Sequence, residues 1–175
     1  RGEMLYGAMT NRTQAPGGSV ANTIAGFGSL GLSTGFIGRV HDDALGKFYV
    51  SSMQDEGTDF VNPLVTGGDL PTSRSMIFVS PDGERSMNTY LGISTELGSD
   101  DVPDDVAGQA QILFLEGSLY DKPKGKEAFE AAARLCRAGG GIAGIALSDP
   151  FCVERHRDDF RRLVKELDYV IGNEH

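Results

Sequence analysis

Gln111-Ile112-Leu113-Phe114-Leu115-Glu116-Gly117 is a short apolar run that ends on an acid and a glycine, and the alternation downstream of it decides the fold. Helical spacing of apolar residues predicts a helix over Lys126 to Cys136 and another over Val153 to Leu167. Between and after them lie two further apolar runs, Ile142 to Leu147 and Tyr169 to Ile171, that read as strands. Strands separated by helices of this length return through right-handed crossovers and build a parallel sheet. The class is α/β.

Upstream, Val20, Ala21, Ile24, Ala25, Phe27 and Leu30 cover most of a helical circumference, so Ser19 to Leu30 reads as a buried helix stopped by Gly31. A short strand is expected around Phe36 and Ile37. Asp42 and Asp43 then sit where a helix N-terminus favours carboxylates, ahead of Leu45, Phe48, Tyr49 and Met53, with Gly57 ending the run. Between Asp59 and Gly92 the pattern changes. Ser73 to Val79 and Arg85 to Tyr90 flank Pro81-Asp82-Gly83 and predict a hairpin, read as an insertion over 59–92 that projects from one domain spanning 1–175. Its Met76, Phe78, Met87 and Tyr90 are expected to pack over a ligand, against further strands or against a second subunit.

The length of 175 residues suits one domain. The 24 glycines show no triplet period, which excludes collagen. Sixteen basic against twenty-five acidic side chains leave a net charge of -9, a field that repels nucleic acid and anionic membrane surfaces alike. The longest apolar runs, such as Ile112 to Leu115, fall far short of the ~20 residues that span a bilayer. Cys136 and Cys152 give no disulfide framework and fit a reducing cytoplasm. Because the chain opens on Arg1 and ends soon after Val170-Ile171-Gly172, sequence is expected to be missing on both sides.

Several patterns mislead. Gly26-Phe27-Gly28-Ser29-Leu30-Gly31 matches a dinucleotide fingerprint, but it closes a helix and precedes a strand, whereas pyrophosphate binding needs the reverse order. Close helix packing is the better reading, and a nicotinamide oxidoreductase, the third functional option, fails here. His156-Arg157-Asp158 mimics a protein-kinase catalytic loop, yet Leu163 stands where that loop needs asparagine. Cys152 and His156 have the i, i+4 spacing of a metal pair, but no clustered third and fourth ligands are evident in the sequence, so no metal ligand is assigned. His41 and His175 lack a nucleophile-base context.

Ala15-Pro16-Gly17-Gly18-Ser19-Val20-Ala21-Asn22 feeds a glycine pair into a buried helix. Paired glycines let a ligand approach the backbone, helix N-terminal amides donate to hydroxyl oxygens, and Asn22 can both donate and accept, which suits a polyol. The alternative is a tight turn with Ser19 as a solvated cap.

Gly17-Gly18-Ser19-Val20-Ala21-Asn22, then Leu30-Gly31, then Phe36-Ile37-Gly38-Arg39-Val40-His41-Asp42-Asp43-Ala44-Leu45-Gly46, strongly resembles the N-terminal signature of the PfkB, or ribokinase-like, family of carbohydrate and nucleoside kinases. The resemblance extends across nearly the whole chain. It implies a three-layer α/β sandwich with a mainly parallel sheet and a small β lid, here Ile77 to Asn88, that closes over substrate and often supplies a dimer contact. By position, Gly17, Gly18 and Asn22 would bind acceptor hydroxyls and Glu116 would accept from another. Asn173 and Glu174 match the start of an Asn-x-x-Glu motif and would lie near the nucleotide phosphates and magnesium. The last acid of that motif, the Gly-Ala-Gly-Asp anion hole with its catalytic aspartate, and most of the ATP pocket are expected beyond residue 175, so no catalytic residue is assigned here. An early substrate-binding aspartate is expected before Arg1.

The activity so implied is ATP- and Mg2+-dependent phosphorylation of a hydroxymethyl group on a sugar or nucleoside by the full-length protein. This segment would supply the acceptor site and lid and be inactive alone. Ser19 stands where ribokinases often carry Lys, and Arg85 to Gly92 resembles adenosine-kinase-like members. The competing reading is a non-catalytic sugar or nucleoside sensor on the same fold.

Overall fold

The computed structural model describes residues 2–174. Its downstream half has the expected alternation. Strands β5 (Ile112–Glu116), β6 (Ile142–Ala146) and β7 (Tyr169–Ile171) pair in parallel in the order β5-β6-β7, with Leu115 opposite Ile145 and Ile145 opposite Val170. Helix α5 (Pro123–Ala138) connects the first two and starts on proline, whose missing N–H costs nothing in a first turn. Ala128, Phe129, Ala132, Ala133 and Cys136 form its buried stripe. Most of that stripe joins Leu115, Tyr120, Ile145 and Phe160 in the main apolar core.

A single side chain crosses all three strands. Tyr169 of β7 lays its ring where a Cβ on Gly144 of β6 would stand, stacks on Phe114 at 6.3 Å, and donates its hydroxyl to the Leu113 carbonyl of β5 at 2.7 Å.

The helix expected over Val153 to Leu167 is two. α6 (Pro150–Arg155) is capped by Asp149, which accepts from the Cys152 N–H at 3.0 Å, and α7 (Arg157–Leu163) carries Asp158 and Asp159 in its own first turn. His156 stands between them at φ -115 and ψ 26, its ring nitrogen 2.8 Å from an Asp121 oxygen. Apolar periodicity continues across the break, which is why spacing alone does not reveal it.

The upstream half holds α1 (Gly2–Ala8), α2 (Ser19–Ser29), β1 (Thr34–Phe36), α3 (Ala44–Asp55) and β2 (Thr58–Phe60). β1 and β2 pair in parallel, so Asp59 and Phe60 belong to this sheet and not to the projecting insertion. Asp43 caps α3, accepting from Gly46 N–H at 2.8 Å and from Thr72 N–H at 2.9 Å. Burial pushes its carboxyl upward, but those two N–H donors outweigh it and hold the group below the ordinary aspartate value. Within the glycine run at the end of α2, Gly28 is the one that serves packing: a Cβ there would lie 2.7 Å from the Thr58 hydroxyl and 2.8 Å from the Glu56 carbonyl, while a Cβ on Gly26 or Gly31 would meet nothing within 4 Å. Phe36, Tyr49 and Phe60 pack mutually, with ring centroids 5.9–6.2 Å apart.

Strands β3 (Arg74–Val79) and β4 (Arg85–Tyr90) form the expected antiparallel hairpin, closed by Gly83 at φ 88. The short helix α4 (Asp104–Gln109) lies between it and β5. Register corrects one expectation about the hairpin. Ile77 faces Met87 while Arg74 faces Tyr90, so Met87 shares a face with Ile77 and Val79, opposite the face of Met76, Phe78 and Tyr90. No helix among the described residues is long and apolar enough to cross a membrane.

Burial raises the thiols of Cys136 and Cys152 and the phenols of Tyr49, Tyr120 and Tyr169, the first two phenols to about 12. Each group holds its proton more tightly folded than unfolded. The contribution of these groups to stability is therefore full below the unfolded thiol value near pH 9 and is lost as pH rises from there toward 12. Urea midpoints measured across that range should fall, with Tyr49→Phe flattening the upper limb. A second expectation concerns Gly46, where an added Cβ would stand 2.0 Å from the His41 carbonyl oxygen. Gly46→Ala should cost on the order of 1–3 kcal/mol in equilibrium unfolding.

Candidate acceptor site

The site begins at a helix end. Gly18 is the N-cap of α2 at φ 129, a left-handed backbone that side chains rarely adopt, and a Cβ there would sit 3.3 Å from that of Ala21. Gly17 has open space where a side chain would be, and its carbonyl accepts from the Tyr49 hydroxyl at 3.2 Å. The aromatic group of Phe36, Tyr49 and Phe60 thus holds the glycine pair from behind. Because Tyr49 stays protonated to about 12, it remains a donor throughout the physiological range.

Glu116 reaches this helix end from the last position of β5. Its Oε2 accepts from the Ser19 hydroxyl and, at 3.2 Å, from the Val20 N–H. The carboxylate therefore satisfies an α2 donor that no intrahelical carbonyl can reach, and its charge lies at the positive end of the helix dipole. Oε1 has no partner among the described residues. Ser19 is exposed but is not the cap: Gly18 holds the cap position and Ser19 ties α2 to β5. Sequence reading misses that role because the two residues lie 97 positions apart.

Asn22 lies one turn into α2, exposed, with no side-chain partner among the described residues. Its backbone N–H closes the first turn on the Gly18 carbonyl at 2.8 Å. Gly17, Gly18, Asn22 and Glu116 all line one open cleft of about 2960 Å³. That is several times the ~300–1,000 Å³ of an ordinary small-molecule pocket, so a ligand at Glu116 would occupy only part of it. Ile77, Val79, Met87 and Thr89 of one hairpin face and Arg74 and Met76 of the other line it as well, as do residues of β1 and β5, which belong to separate sheets.

Asn173 and Glu174 are not brought against the helix end. They are exposed and come after β7, whose Ile171 is level with Ala146 of β6, itself level with Glu116. All three strands run the same way, so the pair emerges at the same sheet edge as Glu116, two strand spacings or roughly 10 Å across. Ligands of open α/β sheets bind outside this carboxyl edge.

The pfkB family carbohydrate kinase profile matches residues 5–175. The crystal structure of adenosine kinase from Sinorhizobium meliloti superposes with a TM-score of 0.88 at 44% identity, covering 97% of this chain and 52% of that one. An aminoimidazole riboside kinase of Salmonella typhimurium is 35% identical over 132 residues, 74% of this chain and 40% of its own length. A 5-dehydro-2-deoxygluconokinase of Geobacillus thermodenitrificans is 30% identical over 132 residues, 74% of this chain and 39% of its own. The chain thus spans about half, or less, of the proteins it resembles. Over that span its parallel strands, interleaved helices and projecting hairpin are the ribokinase-like α/β fold that the sequence implied, and the chain belongs to the pfkB family of carbohydrate kinases.

Proposed function

We propose that the parent protein phosphorylates a hydroxymethyl group of a nucleoside or sugar with ATP, and that residues 17–22 and Glu116 hold the acceptor. The observation that carries this reading is the junction of the α2 N-terminus with Glu116 at the carboxyl edge of β5, facing a cleft lined also by the hairpin. A helix end offers donors and a carboxylate offers acceptors, and a polyol needs both. The open space at Gly17 lets a ligand reach the backbone, and Asn22 adds an amide with no internal partner among the described residues.

Phosphoryl transfer depends on positioning and charge neutralisation more than on covalent chemistry by the protein. In this reading Glu116 and Asn22 orient the acceptor and the hairpin excludes water. Asn173 and Glu174 supply oxygen donors of the hard kind that Mg2+ and its water shell accept, and would hold the metal-nucleotide from the far side. ATP and Mg2+ supply the phosphoryl group and offset its charge. A nucleoside is favoured over a free sugar because Ile77, Val79 and Met87, exposed at 42%, 65% and 64%, present apolar surface that a base would cover and a sugar would not. The same hairpin stands as the proposed contact of a homodimer, with Phe78 and Tyr90 on its other face.

Glu116→Gln keeps an oxygen for the Val20 N–H but loses the charge. In the full-length enzyme it should raise the acceptor KM by roughly tenfold or more, equivalent to about 1.5–3 kcal/mol, and leave the KM for ATP near its original value. Asn22→Ala should act the same way and more weakly. The screen spans ribose, fructose, ketodeoxygluconate, adenosine and other nucleosides; a rise confined to ATP would move both residues to the nucleotide side, and binding without turnover would favour a sensor. Light scattering should give a dimer, and hydrogen exchange across residues 73 to 90 should slow when a turnover-competent acceptor saturates the site. A monomer whose hairpin exchange does not change would remove the lid role.

A further inference from the structure

The turn after β5 and the helices after β6 meet in a cluster of three different ligating side chains. Cys152 in α6, His156 at the break before α7, and Asp121 at the end of the 3-10 turn Gly117–Asp121 bring a sulfur, a ring nitrogen and a carboxylate oxygen within 4.8 Å of one another. The i, i+4 pair seen in the sequence thus gains a third member from another element. Cys152 is fully buried, and its thiol makes only a long 3.5 Å contact with the Gly117 carbonyl. The Asp121 side chain is 39% exposed, which leaves an entry path from solvent.

The surroundings suit a metal-bound imidazole. His156 Nε2 lies 2.8 Å from Asp121 Oδ1, while Nδ1 faces Asp159 Oδ2 at 4.0 Å. Asp159 is anchored in turn by Lys126 at 2.5 Å. Ligating histidines generally direct their second ring nitrogen at such a carboxylate, and at 4.0 Å Asp159 is placed to take that role once the ring shifts toward it. Tyr120 and Phe160 pack against the ring, with centroids 6.1 and 6.3 Å away. Arg155 grips both Asp121 oxygens, 2.8 Å from Oδ2 and 3.1 and 3.2 Å from Oδ1, so a cation would have to draw Oδ1 away from the guanidinium while Oδ2 keeps its hold.

We propose that Asp121, Cys152 and His156 form a binding site for a thiophilic divalent cation of the zinc class. Sulfur, nitrogen and oxygen donors around a small tetrahedral centre are what Zn2+ takes, at about 2.0–2.3 Å, with water in the fourth position; the nitrogen and oxygen, now 2.8 Å apart, would open slightly to admit the ion. Mg2+ is a poor match because it prefers oxygen throughout. On binding, the Cys152 S–H bond breaks, its proton leaves to solvent and the freed sulfur pair bonds the metal. The Nε2 proton that His156 directs at Asp121 passes through solvent to Nδ1, which frees the Nε2 pair for the metal, and Asp121 exchanges its contact with His156 for the metal. No electron transfer occurs. The ion would fasten the turn that begins beside Glu116 to α6, stiffening one wall of the acceptor site, and the assignment stands independently of which acceptor the protein uses.

The test is Co2+ titration of the full-length protein in a phosphine reductant. The expected result is a thiolate-to-cobalt charge-transfer band in the near ultraviolet, saturating at a single ion per chain and erased by added Zn2+. Cys152→Ser should abolish the band. Asp121→Asn and His156→Ala should weaken binding by at least the roughly 10–100-fold lost when a metal ligand's supporting partner is removed. Asp159→Asn, a positioning change, should fall inside that range. Zn2+ should raise the unfolding temperature of the wild type and not of His156→Ala, a readout that decides the matter even if Cys152→Ser does not fold. Absence of the band in wild type, its survival in folded Cys152→Ser, or equal stabilisation of His156→Ala by Zn2+ would overturn the assignment.

Discussion

The carboxylate of Glu116 joins the two halves of the chain. One oxygen takes the Ser19 hydroxyl and the Val20 N–H, so the first turn of α2 is anchored by a residue of β5 and not by a neighbour in sequence. The parallel strands lie in two separate sheets, β1-β2 and β5-β6-β7, and α2 packs on the first while its N-terminus is held by the second. Loss of that anchor would free an orphan helix donor and a charge together. The place where the halves are fastened is also where the proposed hydroxylated acceptor would find both donors and acceptors, so in that reading stability and recognition draw on the same few atoms.

The range of each interaction determines how much of it can be read in the sequence. The strands at Ile112, Ile142 and Tyr169 and the stripe of α5 are periodic patterns within a few turns of chain, and they stand as expected. β2 is only Thr58, Asp59 and Phe60, too short for a pattern, and emerges only through its pairing with β1. The break at His156 goes with a contact to Asp121, 35 residues away, and no local composition announces it. The faces of the hairpin depend on register, which places Met87 beside Ile77 and apart from Met76 and Phe78.

The candidate site divides in the same way. Gly18 is legible because a left-handed cap demands glycine whatever lies opposite, and Gly17 is legible as its partner in a pair that leaves the backbone open. Glu116 is legible as the acid ending a strand, yet its hold on Ser19 and Val20 is not, since that bond exists only once two distant elements meet. Gly26 to Gly31 shows the converse. Element order alone disqualifies a familiar motif there, and Gly28 lies against Glu56 and Thr58 as a packing glycine would.

Tyr169 sets a length. Its ring fills the space over Gly144 and its hydroxyl reaches Leu113, so β7 is pinned to β6 and β5 at one register. Sliding β7 by a residue would swing that ring to the opposite face of the sheet and strand the phenol, which gives the strand a single stop along its axis. Asn173 and Glu174 leave the sheet shortly after that ring, so their reach toward Glu116 is gauged by an aromatic side chain that belongs to neither group. In the proposed phosphoryl transfer, that ring would be the spacer between the acceptor seat and the nucleotide seat.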